Sequence, residues 1–108
     1  MGSTIEFARP DGGRAPGYFA EAAQGAPGVV MFQEWWGLDD HIKHTADRLA
    51  GHGYNVLAPD LYRGRVAATG DEANHLMQGL DFGDAVTQDA RGAAAFLRER
   101  GAAKVGVT

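Results

Sequence analysis

The sequence predicts a mixed α/β fold of three layers, in which helices cover both faces of a mostly parallel sheet and an antiparallel hairpin comes first. Short apolar runs alternate with longer segments of helical period, which is the order expected of strand–helix–strand units. The run at 28–32 is unbroken and follows a Pro-Gly turn, a pattern typical of a strand buried on both faces of a parallel sheet. Turn residues at 10–13 separate the first two extended segments and predict the hairpin.

Length and composition restrict the class of protein. With 108 residues the chain provides one domain at most, and 44% hydrophobic residues are ordinary for a globular protein. The net charge of −4 argues against a nucleic-acid partner, which would require clustered lysine and arginine. No apolar stretch approaches the ~20 residues of a membrane span and no signal peptide is visible, so we expect a cytoplasmic protein without a membrane partner. The absence of cysteine excludes disulfides, thiolate metal sites and a thiol nucleophile within these residues.

Each predicted element has recognisable ends. Asp39 and Asp40 are candidate caps for a helix whose apolar residues recur at three- and four-residue spacing. Gly53 suits the left-handed position that ends this helix, and Pro59 stops the strand that follows. The last helix is expected to bury Val86, Ala90, Ala93, Ala94 and Leu97. We predict strands over 4–9, 17–22, 28–32, 54–58 and 104–107, and helices over 40–52, 71–80 and 84–100.

The end of the central strand carries an unusual group of side chains. Gln33, Glu34, Trp35 and Trp36 follow the apolar run directly and precede Gly37. In open α/β sheets, ligands bind at the carboxyl ends of the strands, where these residues lie. We expect the two indoles to shield the Glu34 carboxylate from water, a setting in which functional carboxyl groups cluster. The alternative is that Glu34 only caps the loop or pairs with an arginine.

A second group of polar residues follows the next strand. Asp60, Tyr62, Arg63 and Arg65 lie at its carboxyl end. The predicted topology therefore puts an acid, a phenol and two guanidinium groups on the same rim of the sheet as Glu34. The alternative for the two arginines is a solvated loop without a specific contact.

Four segments together resemble the dienelactone hydrolase family, which has the α/β-hydrolase fold. They are Gln-Glu-Trp-Trp-Gly-Leu at 33–38, His-Gly-Tyr at 52–54, Ala-Pro-Asp-Leu-Tyr at 58–62 and Lys-Val-Gly-Val at 104–107. The first and third segments, at this separation, are the most specific. The match covers the chain from about Ile5 onward but corresponds only to the amino-terminal half of a family member.

The resemblance implies that the catalytic triad lies elsewhere. In the family, the strand matching 104–107 leads directly into the nucleophile elbow, and the triad follows in the order nucleophile, Asp, His. We therefore expect residues 1–108 to be the amino-terminal half of one domain, ending just before the elbow, and to be inactive alone. A Cys-Asp-His triad in the carboxyl-terminal half would complete a hydrolase of small carboxylic esters or lactones. No cofactor and no metal are expected.

The resemblance also implies roles for residues that the chain contains. The glutamate matching Glu34 contacts the nucleophilic thiol and helps to control its protonation, and a thiol must lose its proton to attack. The backbone N–H matching that of Trp35 forms half of the oxyanion hole, where one such donor is typically worth about 3–4 kcal/mol of activation barrier. The candidate substrate-binding residues are Trp36, Tyr62, Arg63 and Arg65.

One position departs from the family pattern. Members that act on dienelactone hold its carboxylate with an arginine just before the helix that is predicted to begin near Asp71. The sequence at 67–70, Ala-Ala-Thr-Gly, contains no arginine. Arg63 or Arg65 would have to substitute, so the resemblance does not define the substrate.

Other interpretations compete with this one. The main alternative is a non-catalytic remnant or interaction module that keeps the fold without the chemistry. A flavodoxin-like binding domain is a third interpretation, although 34–36 occupy the place of its phosphate-binding loop. His41, His44 and Asp47 have a spacing that suits a metal, but the pattern favours the polar outer face of an amphipathic helix. Ser3 is the only serine and lies at the amino terminus, which makes it a poor candidate nucleophile.

Overall fold

The computed structural model describes residues 2–108, apart from the side chains of Phe82 and Val86. The strands are β1 (Ser3–Ala8), β2 (Arg14–Ala20), β3 (Gly28–Val30), β4 (Asn55–Pro59) and β5 (Val105–Val107). The helices are α1 (Asp40–Gly51), α2 (Gly70–Gln78), α3 (Phe82–Asp84) and α4 (Arg91–Glu99), and a π-helical segment (Ala85–Ala90) joins the last two. The strands form one sheet in the order β1-β2-β4-β3-β5.

The amino-terminal hairpin is antiparallel, as the sequence predicts, and its second strand joins it to the sheet. β1 pairs with β2 along its full length, and β2 pairs antiparallel with β4. The observed β2 begins three residues before the predicted start at 17. The reason is a tight turn in which Arg9 and Gly13 close a backbone hydrogen bond of 2.9 Å, so that pairing resumes at Arg14.

The parallel part of the sheet consists of β4, β3 and β5. β3 lies between the other two, with Val30 opposite Leu57 on one side and Val107 on the other. The regular strand is shorter than predicted and ends at Val30. Its ladder nevertheless continues, because the Met31 N–H donates to the Leu57 carbonyl and the Phe32 N–H to the Thr108 carbonyl, each at 3.0 Å.

Apolar side chains form one layer on each face of the sheet, which confirms the predicted three-layer arrangement. On one face α4 packs against strand residues, and on the other face α1 does so. The first layer contains Phe7, Ala15, Phe19, Val30, Leu57, Ala93, Leu97 and Ala102. The second contains Tyr18, Ala20, Met31, Leu38, Ile42, Ala46, Val56 and Ala58.

The ends of α1 are those that the sequence predicts. The Asp39 carboxylate accepts a hydrogen bond of 3.1 Å from the Ile42 N–H at the start. Gly53 has φ +98° just after the end, a conformation that favours glycine. Thr69 caps α2 in the same way, through a hydrogen bond of 3.2 Å from the Glu72 N–H.

The predicted helix over 84–100 is observed as α3, the π-helical segment and α4 in succession. Ala93 and Leu97 are buried as predicted, Ala90 and Ala94 are half-buried, and Val86 lies outside the described side chains. Gly92 lets the helix approach the hairpin, because a Cβ atom there would lie 2.4 Å from the Ala8 carbonyl oxygen. None of the helices within 2–108 is long and apolar enough to cross a membrane.

Candidate active site

A four-residue turn, Glu34 to Gly37, follows the central strand and forms the centre of the candidate site. The Gly37 N–H closes the turn by donating to the Glu34 carbonyl at 3.0 Å. Gly37 has φ +106°, which favours glycine. A Cβ atom at this position would also lie 2.7 Å from the Arg65 carbonyl oxygen. Both observations explain why the turn ends in glycine.

The closed turn fixes the direction of one backbone donor. All described peptide bonds are trans, so the Trp35 N–H points away from the Glu34 carbonyl with which it shares a peptide plane. That carbonyl is held by Gly37. Within residues 2–108, no backbone or side-chain acceptor takes a hydrogen bond from the Trp35 N–H. The turn therefore presents an oriented, unoccupied N–H at the carboxyl end of the central strand.

The segment 60–67, which we call the rim loop, clamps this turn from the neighbouring strand. A short antiparallel bridge between Gly37 and Val66 joins the two segments. The other links use a side-chain amide, a phenol and the backbone. Three hydrogen bonds connect them: Leu61 N–H to Gln33 Oε1 at 2.9 Å, Tyr62 hydroxyl to the Trp35 carbonyl at 2.9 Å, and Ala67 N–H to the Trp36 carbonyl at 2.8 Å.

Tyr62 lies beneath the turn. It is only 7% exposed, and burial raises the pKa of its phenol above the ordinary value. Because its hydroxyl group donates to the Trp35 carbonyl, contact with a substrate would have to come from its ring. The predicted role in substrate binding stays a prediction, whereas the support of the turn is an observed contact.

The two tryptophans pack against each other, and Trp35, but not Trp36, borders a small apolar cavity. Their rings meet edge to face with centroids 5.3 Å apart, and Trp35 is 41% exposed. The cavity has a volume of about 180 Å³. Its lining consists of Gln33, Glu34, Trp35, Leu61, Tyr62, Met77 and Leu80.

Glu34 borders the same cavity but is exposed. The expectation that the indoles shield its carboxylate is therefore wrong for residues 2–108, because Trp35 and Trp36 stack on each other instead. Within the described part of the chain its carboxylate makes no ion pair, so the alternative of a pairing arginine is not found either. The Glu34 carboxylate is thus exposed at the cavity that Trp35 also lines.

Arg63 is held by an acid that the sequence analysis did not single out. Its guanidinium makes two hydrogen bonds to the Asp89 carboxylate, at 2.8 and 3.1 Å, and Asp89 is 1% exposed. This contact raises the pKa of Arg63 above its already high ordinary value. The solvated-loop interpretation is therefore wrong for Arg63.

Comparison with known proteins decides the family. The dienelactone hydrolase family model matches residues 15–108. The chain belongs to the dienelactone hydrolase family. The Glu34–Gly37 turn and the rim loop both lie within the residues that this family model matches.

Relatives of known sequence or structure extend beyond the length of this chain. It is 37% identical over 116 residues to the protein usf of Aquifex pyrophilus, covering 100% of this chain and 50% of the relative. It is 40% identical over 80 residues to an Aquifex aeolicus protein provisionally named a carboxymethylenebutenolidase, covering 71% of this chain and 34% of the relative. A dienelactone hydrolase-like promiscuous phosphotriesterase from metagenomic libraries superposes with a TM-score of 0.72 at 29% identity, covering 98% of this chain and 48% of that structure. The chain thus spans about half the length of the first relative.

Arg65 differs from Arg63 in its surroundings. It lines an open cleft of about 520 Å³ between the rim loop and α2. Within 2–108 its guanidinium makes no ion pair. Of the two rim-loop arginines, Arg65 is therefore the one without an ion-pair partner among residues 2–108. The cleft is lined by Arg65, Val66, Asp71, Glu72, His75 and Leu76.

Asp60 is a half-buried carboxylate of the rim, which the sequence identified only by its position. One carboxylate oxygen accepts a hydrogen bond of 2.7 Å from the Gly64 N–H, whereas the other is buried without a partner among residues 2–108. Burial is the main cause that raises the pKa of Asp60. A carboxylate is therefore costly to keep ionised at this position.

The histidine-rich face of α1 is separate from the site. His41 and His44 are exposed, and Asp47 accepts hydrogen bonds from the Tyr18 hydroxyl and the Gly2 N–H at 2.8 to 3.0 Å. Within residues 2–108, no group of three or more His, Cys, Asp or Glu side chains is arranged to hold a metal ion.

Proposed function

We propose that this chain supplies the scaffold and half of the oxyanion hole of an enzyme that hydrolyses small carboxylic esters or lactones. The oriented, unoccupied Trp35 N–H beside the cavity carries the proposal. Membership of the dienelactone hydrolase family and the relative named a carboxymethylenebutenolidase support it. The triad of nucleophile, Asp and His is proposed to come from the part of the protein that corresponds to the uncovered half of its relatives.

In the proposed reaction, the Glu34–Gly37 turn stabilises the negative charge that develops on the ester oxygen. A thiolate attacks the ester carbonyl carbon, a carbon–sulfur bond forms, and the carbonyl π electrons move to oxygen as negative charge. The Trp35 N–H donates to this oxygen, and the residue after the nucleophile provides the second donor. The intermediate then expels the alcohol, which takes a proton from the triad histidine, and water hydrolyses the thioester. A fixed donor of this kind acts without reorganisation when charge develops.

Glu34 is proposed to control the nucleophile. Its carboxylate is exposed in residues 2–108 and borders the cavity. A carboxylate beside a thiol accepts its hydrogen bond and disfavours the thiolate until the substrate displaces it, because like charges close together repel. Attack then occurs chiefly when the site is filled.

The size and lining of the cavities support a small substrate. About 180 Å³ between Trp35 and Leu80 suits a small acyl group or lactone ring. Arg65 in the adjoining cleft is proposed to bind a carboxylate on the substrate, whereas Arg63 is held by Asp89. Asp71 and Glu72 share the cleft, and their charge is expected to weaken this binding relative to an isolated arginine.

The test uses a chimera in which residues 1–108 are followed by the carboxyl-terminal part of the metagenomic phosphotriesterase that the chain does not cover. The chimera should hydrolyse p-nitrophenyl acetate with saturation, and residues 1–108 alone should not exceed background. Glu34→Gln in the chimera should change the pH dependence of thiol alkylation and lower kcat/KM without changing the circular dichroism spectrum. A folded but inactive chimera would favour the alternative, a non-catalytic module of the same fold.

A further inference from the structure

An ion pair between a buried acid and a half-exposed arginine links the π-helical segment to the rim loop. Asp89 lies within the π-helical segment and is 1% exposed, and both of its oxygens bind the Arg63 guanidinium. A second guanidinium, that of Arg9, lies 3.6 Å from the same carboxylate. π-Helical turns inside α-helices occur frequently at functional sites.

Arg63 has an unusual backbone conformation at the tip of the rim loop. It is the non-glycine residue with positive φ (+54°) among residues 2–108, and Gly64 follows with φ +91°. The tip closes on itself through the Gly64 N–H to Asp60 bond of 2.7 Å and an Arg65 N–H to Tyr62 carbonyl bond of 3.3 Å. A left-handed conformation costs free energy in a residue with a Cβ atom and persists only where the surroundings impose it. At this point the Arg63 guanidinium is held by the Asp89 carboxylate and by the Asp60 carbonyl, to which it donates at 3.0 Å.

We propose that Asp89 is a positioning residue for the oxyanion donor, acting through Arg63, the rim loop and Tyr62. The chain of contacts is continuous: Asp89 holds the Arg63 guanidinium, the loop tip carries Tyr62, and the Tyr62 hydroxyl holds the Trp35 carbonyl at 2.9 Å. The inference rests on the proposed function, because it gives the Trp35 N–H its catalytic value.

Because of Arg9, the effect of the Arg63–Asp89 ion pair on the turn can be measured separately from its effect on the free energy of unfolding. Arg9 also binds Asp84 at 2.8 and 2.9 Å and Asp11 at 3.0 Å, so it keeps partners when Asp89 is replaced. Replacing one member of a buried pair leaves an unpaired group, whereas replacing both by apolar residues of similar volume is often neutral. The double variant Arg63→Met/Asp89→Leu should therefore fold while lacking the link.

The experiment compares three variants with the original sequence: Asp89→Asn, Arg63→Lys and the double variant. In residues 1–108, amide hydrogen exchange is measured at Leu61 and Ala67, the two backbone donors that clamp the turn, together with the free energy of unfolding. We expect the double variant to retain its unfolding free energy but to exchange about tenfold faster at these two amides. The matched control is Glu6→Leu/Arg14→Met, which removes an exposed pair of 3.5 Å on the hairpin and should leave both amides unchanged.

The second readout is the split between kcat and KM in the chimera. We expect the double variant to lower kcat about tenfold with little change in KM, because a misplaced donor affects the transition state more than substrate binding. Arg63→Lys keeps the charge without the bidentate geometry, so its kcat should lie between that of the original sequence and that of the double variant. If the double variant keeps the unfolding free energy of the original sequence and also keeps its kcat and its slow amide exchange, the proposal is overturned in favour of a merely structural pair. If the chimera with the original sequence is inactive, the proposed function fails, and the exchange measurement still decides whether Asp89 holds the turn.

Discussion

Replacement of the glycine that ends the Glu34–Gly37 turn should be more costly than replacement of a glycine with similar dihedral angles elsewhere. Gly37→Ala places a Cβ atom on a residue with φ +106°, which costs on the order of 1–2 kcal/mol. The new atom would also lie 2.7 Å from the Arg65 carbonyl oxygen and 3.2 Å from the Tyr62 ring. Relief of this contact requires the rim loop to move, and each clamping hydrogen bond lost adds about 1 kcal/mol.

Gly53→Ala is the matched control. Its φ of +98° is similar, but no atom lies within 4 Å of the position of a Cβ atom. It should therefore lose only the conformational contribution, about 1–2 kcal/mol, while Gly37→Ala loses about 2–4 kcal/mol. Urea unfolding of the two variants of residues 1–108 gives the difference, and near-ultraviolet circular dichroism reports the Trp35–Trp36 pair. Equal losses in the two variants, with an unchanged tryptophan signal, would refute the close approach of the rim loop to the turn.

Three further predictions concern the helix, the rim and the sheet edge. Gly92→Ala should lower the unfolding free energy despite the higher helix propensity of alanine, because its Cβ atom would lie 2.4 Å from the Ala8 carbonyl oxygen. Gly51→Ala, where the Cβ atom meets open space, should not lower it. If thermal unfolding ranks the two variants the other way, the packing of α4 against the hairpin is contradicted. Asp60→Asn should stabilise the chain at pH 7, because burial raises the pKa of Asp60 and the folded state therefore loses stability as pH rises through that raised value. The gain in unfolding free energy should vanish below about pH 4, where the carboxyl group is protonated in both states. A gain that is independent of pH in urea titrations would contradict this prediction. β5 is an edge strand of the sheet within residues 2–108, and an exposed edge favours pairing between copies, so we expect residues 1–108 to self-associate. Val107→Lys should reduce this self-association in sedimentation, because Val107 is 67% exposed on β5; unchanged association would mean that this edge is not the contact.

Local patterns were sufficient for much of the fold. The Asp39 cap, the left-handed Gly53 and a parallel strand that begins at Gly28 depend on neighbouring residues, and each is observed, although this strand ends at Val30 rather than at the predicted residue 32. The rim was predictable for the same reason, since Glu34 and Tyr62 follow strands whose carboxyl ends meet at one edge of the sheet. Resemblance to the family supplied the roles of these residues.

Contacts between distant segments were not predictable. The pairing of Arg63 with Asp89 spans 26 residues and depends on a π-helical segment that no periodicity indicated. Asp89 itself looked like an ordinary polar position on a helix. Trp35 and Trp36 were expected to cover Glu34, but aromatic rings also gain by packing edge to face, and they do so here. In both cases the tertiary arrangement determines which of several compatible partners a side chain takes.

The most direct measurement removes the Trp35 N–H without changing any side chain. In the chimera, the amide between Glu34 and Trp35 is replaced by an ester through incorporation of the α-hydroxy analogue of tryptophan, and hydrolysis of p-nitrophenyl acetate is followed. The account predicts a fall in kcat of about 10²–10³ with KM little changed, as for the loss of one oxyanion donor. The same replacement between Trp35 and Trp36 should have a much smaller effect. An unchanged kcat at position 35, or a larger loss at position 36, would contradict the assignment of the Trp35 N–H to the oxyanion hole.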